Sequence, residues 1–380
     1  MRGPTPNPSL RGTPWEHAED FESWGWQVRH RLETLEDLEA AFVLDAAERE
    51  GFVRAAPLFR FGVTPYYAAL ADREDPRCPI RRQIMPHAAE ASVGIGERGD
   101  PLGEEALEAA PNLVHRYPDR ALLLATDRCP VYCRFCTRRR IVGRTERQAT
   151  KALLADALEY IAKTTALREV IVSGGDALML GDNTLEWLLG ALRAMPHIEI
   201  IRIATRMPVT CPMRVTDDLA ALLAAHGPVY VMTHFNHPKE CTERAWRACA
   251  ALVDRGVPVY NQSVLLRGIN DDAAIIGELN RTLVSMRVTP YYLHQCDMAE
   301  GIEHFRTPLS VGVEIIDALR GPLSGLAVPQ LCVDVPGGLG KVTVQPSWIV
   351  ERRGRTTRFR TYTGETAEYV DPEHDGVDPR

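Results

Sequence analysis

The sequence predicts an α/β fold, a parallel sheet covered by helices and arranged as a barrel or an open sheet. Short apolar, β-branched runs recur at 121–125, 169–172, 198–204, 229–233, 257–266, 288–294 and 331–335, with amphipathic stretches between most of them at 151–163, 184–195, 217–226, 243–255, 272–286 and 311–319. From the second run to the sixth the spacing is about 30 residues, the length of a strand–helix unit, and such alternation means parallel strands. Nearly every unusual polar residue also falls at the carboxyl end of a run, where parallel barrels build their active sites.

The regions preceding the sheet read differently. Residues 1–14 are rich in Pro and Gly, lack an apolar core for export, and read as a disordered lead-in. From 15 to 113 the signals are helical and irregular. Thr34 can cap a helix whose apolar residues Leu35, Leu38, Phe42, Val43 and Ala46 recur at helical spacing and stop at Gly51. Trp24 and Trp26 would pack this segment onto the main body. Residues 54–82, with Pro57, Pro65, Pro76 and Pro79, read as short helices joined by turns. The strand–helix repeat occupies 114–300, and 301–380 forms a carboxyl-terminal extension.

Bulk composition narrows the function. With 380 residues and 45% hydrophobic residues the chain can bury one large core plus an appendage. A net charge of -7 gives no global basic field for nucleic acid. The local run Arg138–Arg140 suits a small anionic ligand better. Nine cysteines, an odd number, fit a reducing compartment rather than a disulfide framework. No apolar run approaches the ~20 residues that span a bilayer. A cytoplasmic protein without membrane or nucleic-acid partners is expected.

Three constellations carry chemistry. Cys129, Cys133 and Cys136 follow the first strand at C-x3-C-x2-C spacing, with Phe135 just before the last. Three soft thiolates on one loop can each reach a different iron of a four-iron cube, leaving the fourth iron open to a small molecule. A zinc site with a distant fourth ligand, or three incidental thiols, are the alternatives. Ser173-Gly174-Gly175-Asp176 follows the second strand; glycines let backbone approach closely, and the carboxylate can accept from an ammonium, although this is also an ordinary turn. Finally, Asp334 opens a run through Gly337, Gly338 and Gly340 to Lys341. A lysine delivered beside strand ends can form a Schiff base with an aldehyde cofactor. A phosphate loop fails here, because no glycine sits five before Gly340 and Val342 takes the Ser/Thr position.

The segment 126–140, with its arginine run, resembles the radical S-adenosylmethionine (SAM) enzymes and among them the lysine 2,3-aminomutase family, and the likeness extends from about Trp24 past Lys341. The resemblance implies a partial (β/α)6 barrel, open at the side, with the seventh strand an addition and an amino-terminal helical segment. It implies a [4Fe–4S] cluster on Cys129, Cys133 and Cys136, with SAM at its open iron. The 173–176 motif would hold the methionine amino group, Phe135 would stack near the adenine, and His234 and Gln262 would line the SAM site unless they merely satisfy the core. Lys341 would be the pyridoxal phosphate (PLP) lysine, with Arg116, Tyr117 and Arg120 on the phosphate.

Arg138 would pair with the substrate carboxylate through its planar fork. Asp297 and Asp334 would clamp the distal ammonium of lysine, since a buried cation needs paired opposite charge and two acids would repel a carboxylate tail. Either acid alone could be a turn or cap residue. The implied activity is 2,3-amino migration, lysine to β-lysine, on a free amino acid, served by an electron donor of flavodoxin or ferredoxin type in a homo-oligomer. Arginine, glutamate or a translation-factor lysine are alternative substrates on the same fold; a non-catalytic iron–sulfur carrier is the alternative from another class. Two departures stand out. Leu339 interrupts the family's glycine run. Asp272 stands where zinc-bearing members carry a cysteine and no cysteine follows Cys332, so no structural zinc is expected and the family's tail-mediated tetramer is in doubt.

Overall fold

The computed structural model describes residues 3–146 and 150–372. Ten strands form one sheet in chain order: β1 (Glu108–Ala110), β2 (Leu113–Tyr117), β3 (Arg120–Thr126), β4 (Glu169–Gly174), β5 (Ile200–Ala204), β6 (Val229–Thr233), β7 (Val259–Leu265), β8 (Val288–Gln295), β9 (Gln330–Val335) and β10 (Gly340–Thr343). Strands β3 to β9 run parallel; β1 and β2 join antiparallel at one edge and β10 at the other. One helix fills each crossover: Ala155–Lys163, Asp182–Arg193, Asp217–Ala225, Glu243–Val253, Ala273–Ser285 and Leu309–Leu319. This is the partial (β/α)6 barrel with a seventh parallel strand. Its two ends curve toward each other, and the Lys341 backbone N–H on β10 donates to the Tyr117 hydroxyl of β2 at 3.0 Å.

Packing explains why the strands read as apolar runs. Val170, Val172, Ile201, Ile203, Val229 and Val231 are buried against Leu188, Leu192, Leu219, Leu223 and Leu252 of the covering helices. Burial alternates along β3, β5 and β7: one face packs on the helices and the other, half-buried, faces the cavity. Three of these helices begin where a short polar side chain takes a free N–H: Thr216, Thr242 and Asp272 cap the third to fifth crossover helices. Asp272 accepts from Ala274 and Ile275, at 2.7 and 3.3 Å.

Several expectations are corrected. The segment after Thr34 is two helices, Leu35–Ala41 and Ala46–Ala55. Thr34 does cap the first, reciprocally with Asp37, but Phe42 turns extended and Asp45 caps a second start with Glu48. Gly51 lies inside the second helix, where a Cβ would sit 2.5 Å from the Pro86 carbonyl. Residues 3–14 are not a loose lead-in: Thr5 pairs with Cys241 and Glu243 through backbone hydrogen bonds of 2.9 and 3.0 Å. The boundary at 300 is no division in packing, since Ile315, Leu319 and Leu331 share a core with Leu265 and Leu293. Six strands went unanticipated: β1, β2 and β10 at the edges of the main sheet, and β11 (Ile349–Arg353), β12 (Thr356–Arg360) and β13 (Thr366–Val370), which form a separate antiparallel sheet, largely exposed. With both faces wet, it has no hydrophobic alternation to betray it.

The loop after β4 is pressed onto the loop after β3. Gly174 has φ +113° and a Cβ there would lie 2.1 Å from the Thr126 carbonyl; at Gly175 it would lie 2.3 Å from that of Arg128. Gly175 N–H donates to Thr126 (2.6 Å) and Asp176 N–H to Arg128 (2.8 Å). Gly175→Ala is therefore expected to lower stability by about 1–3 kcal/mol through overpacking and to reduce iron loading. Gly181→Ala, with nothing within 4 Å of its Cβ, should do neither. Denaturant melts and iron assay of both variants check this.

Candidate active site

The cysteine loop is held from behind by the amino-terminal layer. Tyr132 N–H donates to Gly62 (2.9 Å) and Arg134 N–H to Gln83 (3.0 Å), while Arg31 Nη1 donates to the Cys129 carbonyl at 2.7 Å. Arg134, fully buried, makes a two-pronged pair with buried Glu90 at 2.6 and 3.0 Å. With its backbone and middle residues so fixed, the loop turns Cys129, Cys133 and Cys136 into a cavity of about 600 Å³.

All three thiols are free. Burial, with the Asp176 charge adding, pushes the Cys129 thiol well up. Burial, with Cys133 adding, pushes Cys136 up to about 11. Both hold protons that a metal must displace. Among the described residues no three His, Cys, Asp or Glu side chains are gathered to hold a single metal ion; three spaced thiols suit three corners of a cube.

Every residue singled out from the sequence lines this one cavity: Arg116, Tyr117, Arg120, Phe135, Arg138, residues 173–176, His234, Gln262, Asp297, Asp334 and Lys341 join the cysteines there. They arrive from the carboxyl ends of six strands and from the β2–β3 and β9–β10 hairpins. Individual side chains differ from expectation. Both oxygens of Asp176 are committed within the protein, to the Thr205 hydroxyl (2.6 Å), Leu178 N–H (3.0 Å) and Arg206 N–H (2.7 Å). Its carboxylate thus braces the loop; the glycines, expected to admit a ligand, admit the cysteine loop's backbone.

The arginine run is no free cationic patch. Arg138 pairs with Glu104 at 2.8 Å, Arg139 with Glu90 at 2.7 Å, and Arg140 with Asp100 and Glu104, both at 3.2 Å. Phe135 packs beside His234, ring centroids 5.7 Å apart, and against Phe305. Burial, with the Arg206 charge adding, holds the His234 imidazolium well below its usual range, so the ring is neutral and shares a hydrogen bond with Asn236 (3.0 Å).

At the far end, Lys341 Nζ is ion-paired to Asp334 Oδ2, with His294 Nδ1 3.6 Å from the same oxygen. Burial pushes Asp334 up, but His294 and Lys341 outweigh it and hold the carboxyl below the usual carboxylate range. Asp297 goes the other way, raised by burial and by the Asp334 charge. Arg120 lies over the Tyr117 ring at 3.8 Å, and Arg116 approaches Asp334 at 3.9 Å. Arg116 Nε, Thr233 Oγ1 and Asp334 Oδ1 are buried without a partner. Unspent donors and acceptors around one cavity fit ligands that carry anionic and cationic groups.

Comparison with known proteins decides the family. Residues 123–276 match the Radical SAM superfamily and residues 316–378 match Lysine-2,3-aminomutase. The L-lysine 2,3-aminomutase of Acetoanaerobium sticklandii is 46% identical over 96% of this chain and 89% of its own length. That of Fusobacterium nucleatum is 47% identical over 94% and 84%. A glutamate 2,3-aminomutase of Clostridioides difficile is 38% identical over 95% and 85%. The chain belongs to the lysine 2,3-aminomutase family. It is an isomerase acting on a small amino acid, and its cofactors are a [4Fe–4S] cluster, SAM and PLP.

The residues present fit that set: three thiols outside any disulfide, a glycine-lined backbone beside them, and a lysine among Arg116, Tyr117 and Arg120. Reading the sequence missed Glu90, Glu104, Arg206 and His294. Arg206 could have been found, since Thr205-Arg206 follows a strand; it is buried, donates to Cys133 Sγ at 2.7 Å and pairs with Glu240 at 2.8 Å. Glu104 sits in a loop with no periodic signal. Removing a thiol should separate the two ends of the cavity: Cys133→Ala is expected to lose the cluster's iron and visible absorbance, while PLP still attaches at Lys341. Lys341→Ala should do the reverse, keeping iron and losing covalent PLP, as iron assay and borohydride trapping would register.

Proposed function

We propose that this chain converts L-lysine to β-lysine (3,6-diaminohexanoate) by moving the amino group from C2 to C3. The observation that carries the reading is the pair Asp297 and Asp334 beside Lys341. Asp334 already accepts a primary ammonium, that of Lys341 itself, and keeps Oδ1 buried without a hydrogen bond, 3.9 Å from Arg116. A second ammonium entering the cavity would meet two carboxylates. A glutamate tail would meet uncompensated like charge in a partly desolvated place, which is strongly unfavourable. The site therefore supports lysine over glutamate, the substrate named for one relative.

In this reading Arg138 takes the substrate carboxylate and the two aspartates its far end, so the molecule is stretched between fixed charges with C2 and C3 between them. Such two-point positioning holds the reacting carbons where hydrogen can be removed and returned. Bound in the cavity, the cluster and SAM supply a carbon radical for that hydrogen exchange, and PLP supplies electron delocalisation for the migrating nitrogen. Cys129, Cys133 and Cys136 would hold the cluster; Phe135, His234, Gln262 and the backbone of residues 173–175 would wall the SAM side. Neutral His234 adds no positive charge next to a sulfonium cation. Arg116, Tyr117 and Arg120 would hold the phosphate. Closing the cavity around these groups keeps water from a reactive carbon centre.

The same reading calls for a protein reductant of flavodoxin or ferredoxin type, a cytoplasmic setting that suits nine free cysteines, and a homo-oligomer. No described helix is long and apolar enough to cross a membrane.

Anaerobic incubation with dithionite, SAM, PLP and L-lysine is expected to yield 3,6-diaminohexanoate, while L-glutamate and L-arginine stay unchanged. Turnover of either instead, with lysine untouched, overturns the substrate assignment. Asp297→Asn should weaken lysine binding by about 3 kcal/mol, the scale for removing one partner of a buried pair, with SAM cleavage intact. Asp334→Asn should also disturb Lys341, which it contacts, so Asp297 gives the cleaner measurement.

A further inference from the structure

Arg138 would be a poor substrate anchor if it swung freely on its long side chain. It does not swing. Glu104, only 4% exposed at its side chain, accepts through one oxygen from Arg138 Nε at 2.9 Å and Nη2 at 2.8 Å. Its other oxygen accepts from Arg140 Nη2 at 3.2 Å. Both Glu104 and Arg138 line the active cavity. A guanidinium carries five N–H groups in a rigid plane, and Glu104 uses the Nε–Nη2 edge. Among the described residues the remaining Nη1–Nη2 edge is engaged only by Ser173 Oγ, at 3.4 Å. A second carboxylate can therefore dock on the free edge without displacing the first.

We propose that Glu104 is the positioning residue for Arg138, clasping one edge of the guanidinium so that the other presents a fixed fork to the substrate's carboxylate. The inference rests on the assignment of Arg138 to that carboxylate. Because Arg140 shares Glu104, one carboxylate is divided between two guanidinium groups and Arg138 keeps charge to offer. The clasp also prevents an unpaired buried cation when no substrate is bound, a state that would cost several kcal/mol.

Glu104 is itself set by its loop. Asp100 accepts from the Glu105 N–H at 2.9 Å and pairs with Arg140 at 3.2 Å. Gly103, at φ +61°, lies against the turn that leads to Lys341, where an added Cβ would be 2.9 Å from Gly337. Arg116 donates to the Leu102 carbonyl. One short loop thus touches the carboxylate anchor, the phosphate-side arginine and the lysine hairpin together.

The test compares two ligands on the holoenzyme: L-lysine, and L-lysinamide, in which a neutral amide replaces the carboxylate. Binding is read from the PLP absorbance change and turnover of lysine is followed in parallel. Glu104→Ala is expected to weaken lysine binding about tenfold or more, on the scale of a lost charge-assisted hydrogen bond. Lysinamide binding should hold within about twofold, and KM for lysine should rise more than kcat falls. Glu104→Gln keeps the side chain's shape and serves if the alanine variant does not fold; it should show the same selective loss. Glu105→Gln is the control, since Glu105 is 73% exposed at its side chain and reaches only Arg140, at 3.6 Å.

Equal weakening of both ligands would mean that Glu104 is structural, and no weakening that it is irrelevant; either overturns the proposal. Arg138→Lys separates the two layers of the argument. If it leaves the lysine-to-lysinamide preference intact, the assignment of Arg138 falls and this inference with it. If it abolishes the preference while both Glu104 variants keep it, Glu104 alone is wrong and the assignment of Arg138 stands.

Discussion

The buried pair between Arg134 and Glu90 is the constraint on which the site depends. Arg134 directly follows Cys133, inside the cysteine motif, and its side chain points away from the cavity into the amino-terminal layer. There it also donates to the backbone carbonyl of Arg60 at 2.9 Å. Both side chains are fully excluded from solvent, so removing Glu90 leaves Arg134 a buried charge without a counter-ion, at a cost of about 3–5 kcal/mol, whereas Glu90 without Arg134 would still have Arg139. The pair exists because a loop that must present three thiols on one side cannot pack apolar residues on the same side. It fastens itself from behind instead. This gives the helical amino-terminal region a purpose beyond covering the barrel: residues 59–90 are the mould against which the cysteine loop sets.

A second polar centre supports the same loop from the opposite direction. Arg206 reaches Cys133, Tyr67, Gln83 and Glu240 from the end of β5, and its backbone N–H holds Asp176. Asn236 joins through Gln83. Such a network is favourable only when every member is satisfied, because the low local dielectric penalises any group left over. It is satisfied here by residues from the amino-terminal layer and from three strand ends, which is why those elements cannot shift independently. The mutual orientation of cluster loop and barrel thus follows from hydrogen-bond bookkeeping more than from apolar area.

How much was legible follows from what kind of signal each feature leaves. The parallel core announces itself through spacing, because a short apolar, β-branched run recurs once per strand–helix unit. The cysteines, the glycine pair and Lys341 were readable because their chemistry is rare and each sits where a strand stops. The partners of these residues were not. Glu90, Glu104 and His294 have ordinary neighbours in sequence and acquire meaning only by what folding brings beside them. Asp176 has a second duty that its neighbours in sequence do not show: its oxygens accept from Thr205, Leu178 and Arg206. The exposed sheet of β11 to β13 was invisible for a simpler reason, since a sheet that buries little carries no pattern of burial.

The turn leading to Lys341 shows how a departure from a pattern can be resolved by backbone geometry. The glycine run is interrupted by Leu339, and from sequence alone that interruption has no evident consequence. In the fold, Gly337, Gly338 and Gly340 have φ of +82°, +80° and +100°, a region in which a side chain is strained. Leu339 is absent from the residues with positive φ, and its side chain is 80% exposed. The three glycines are thus required by conformation, and the fourth position is free to vary. Gly340 has a further duty: a Cβ there would lie 3.2 Å from the Tyr117 hydroxyl, the group that receives the Lys341 N–H. At Gly338 a Cβ would lie closer still, 2.9 Å from Leu107, and Leu339, exposed between these two glycines, has no such constraint.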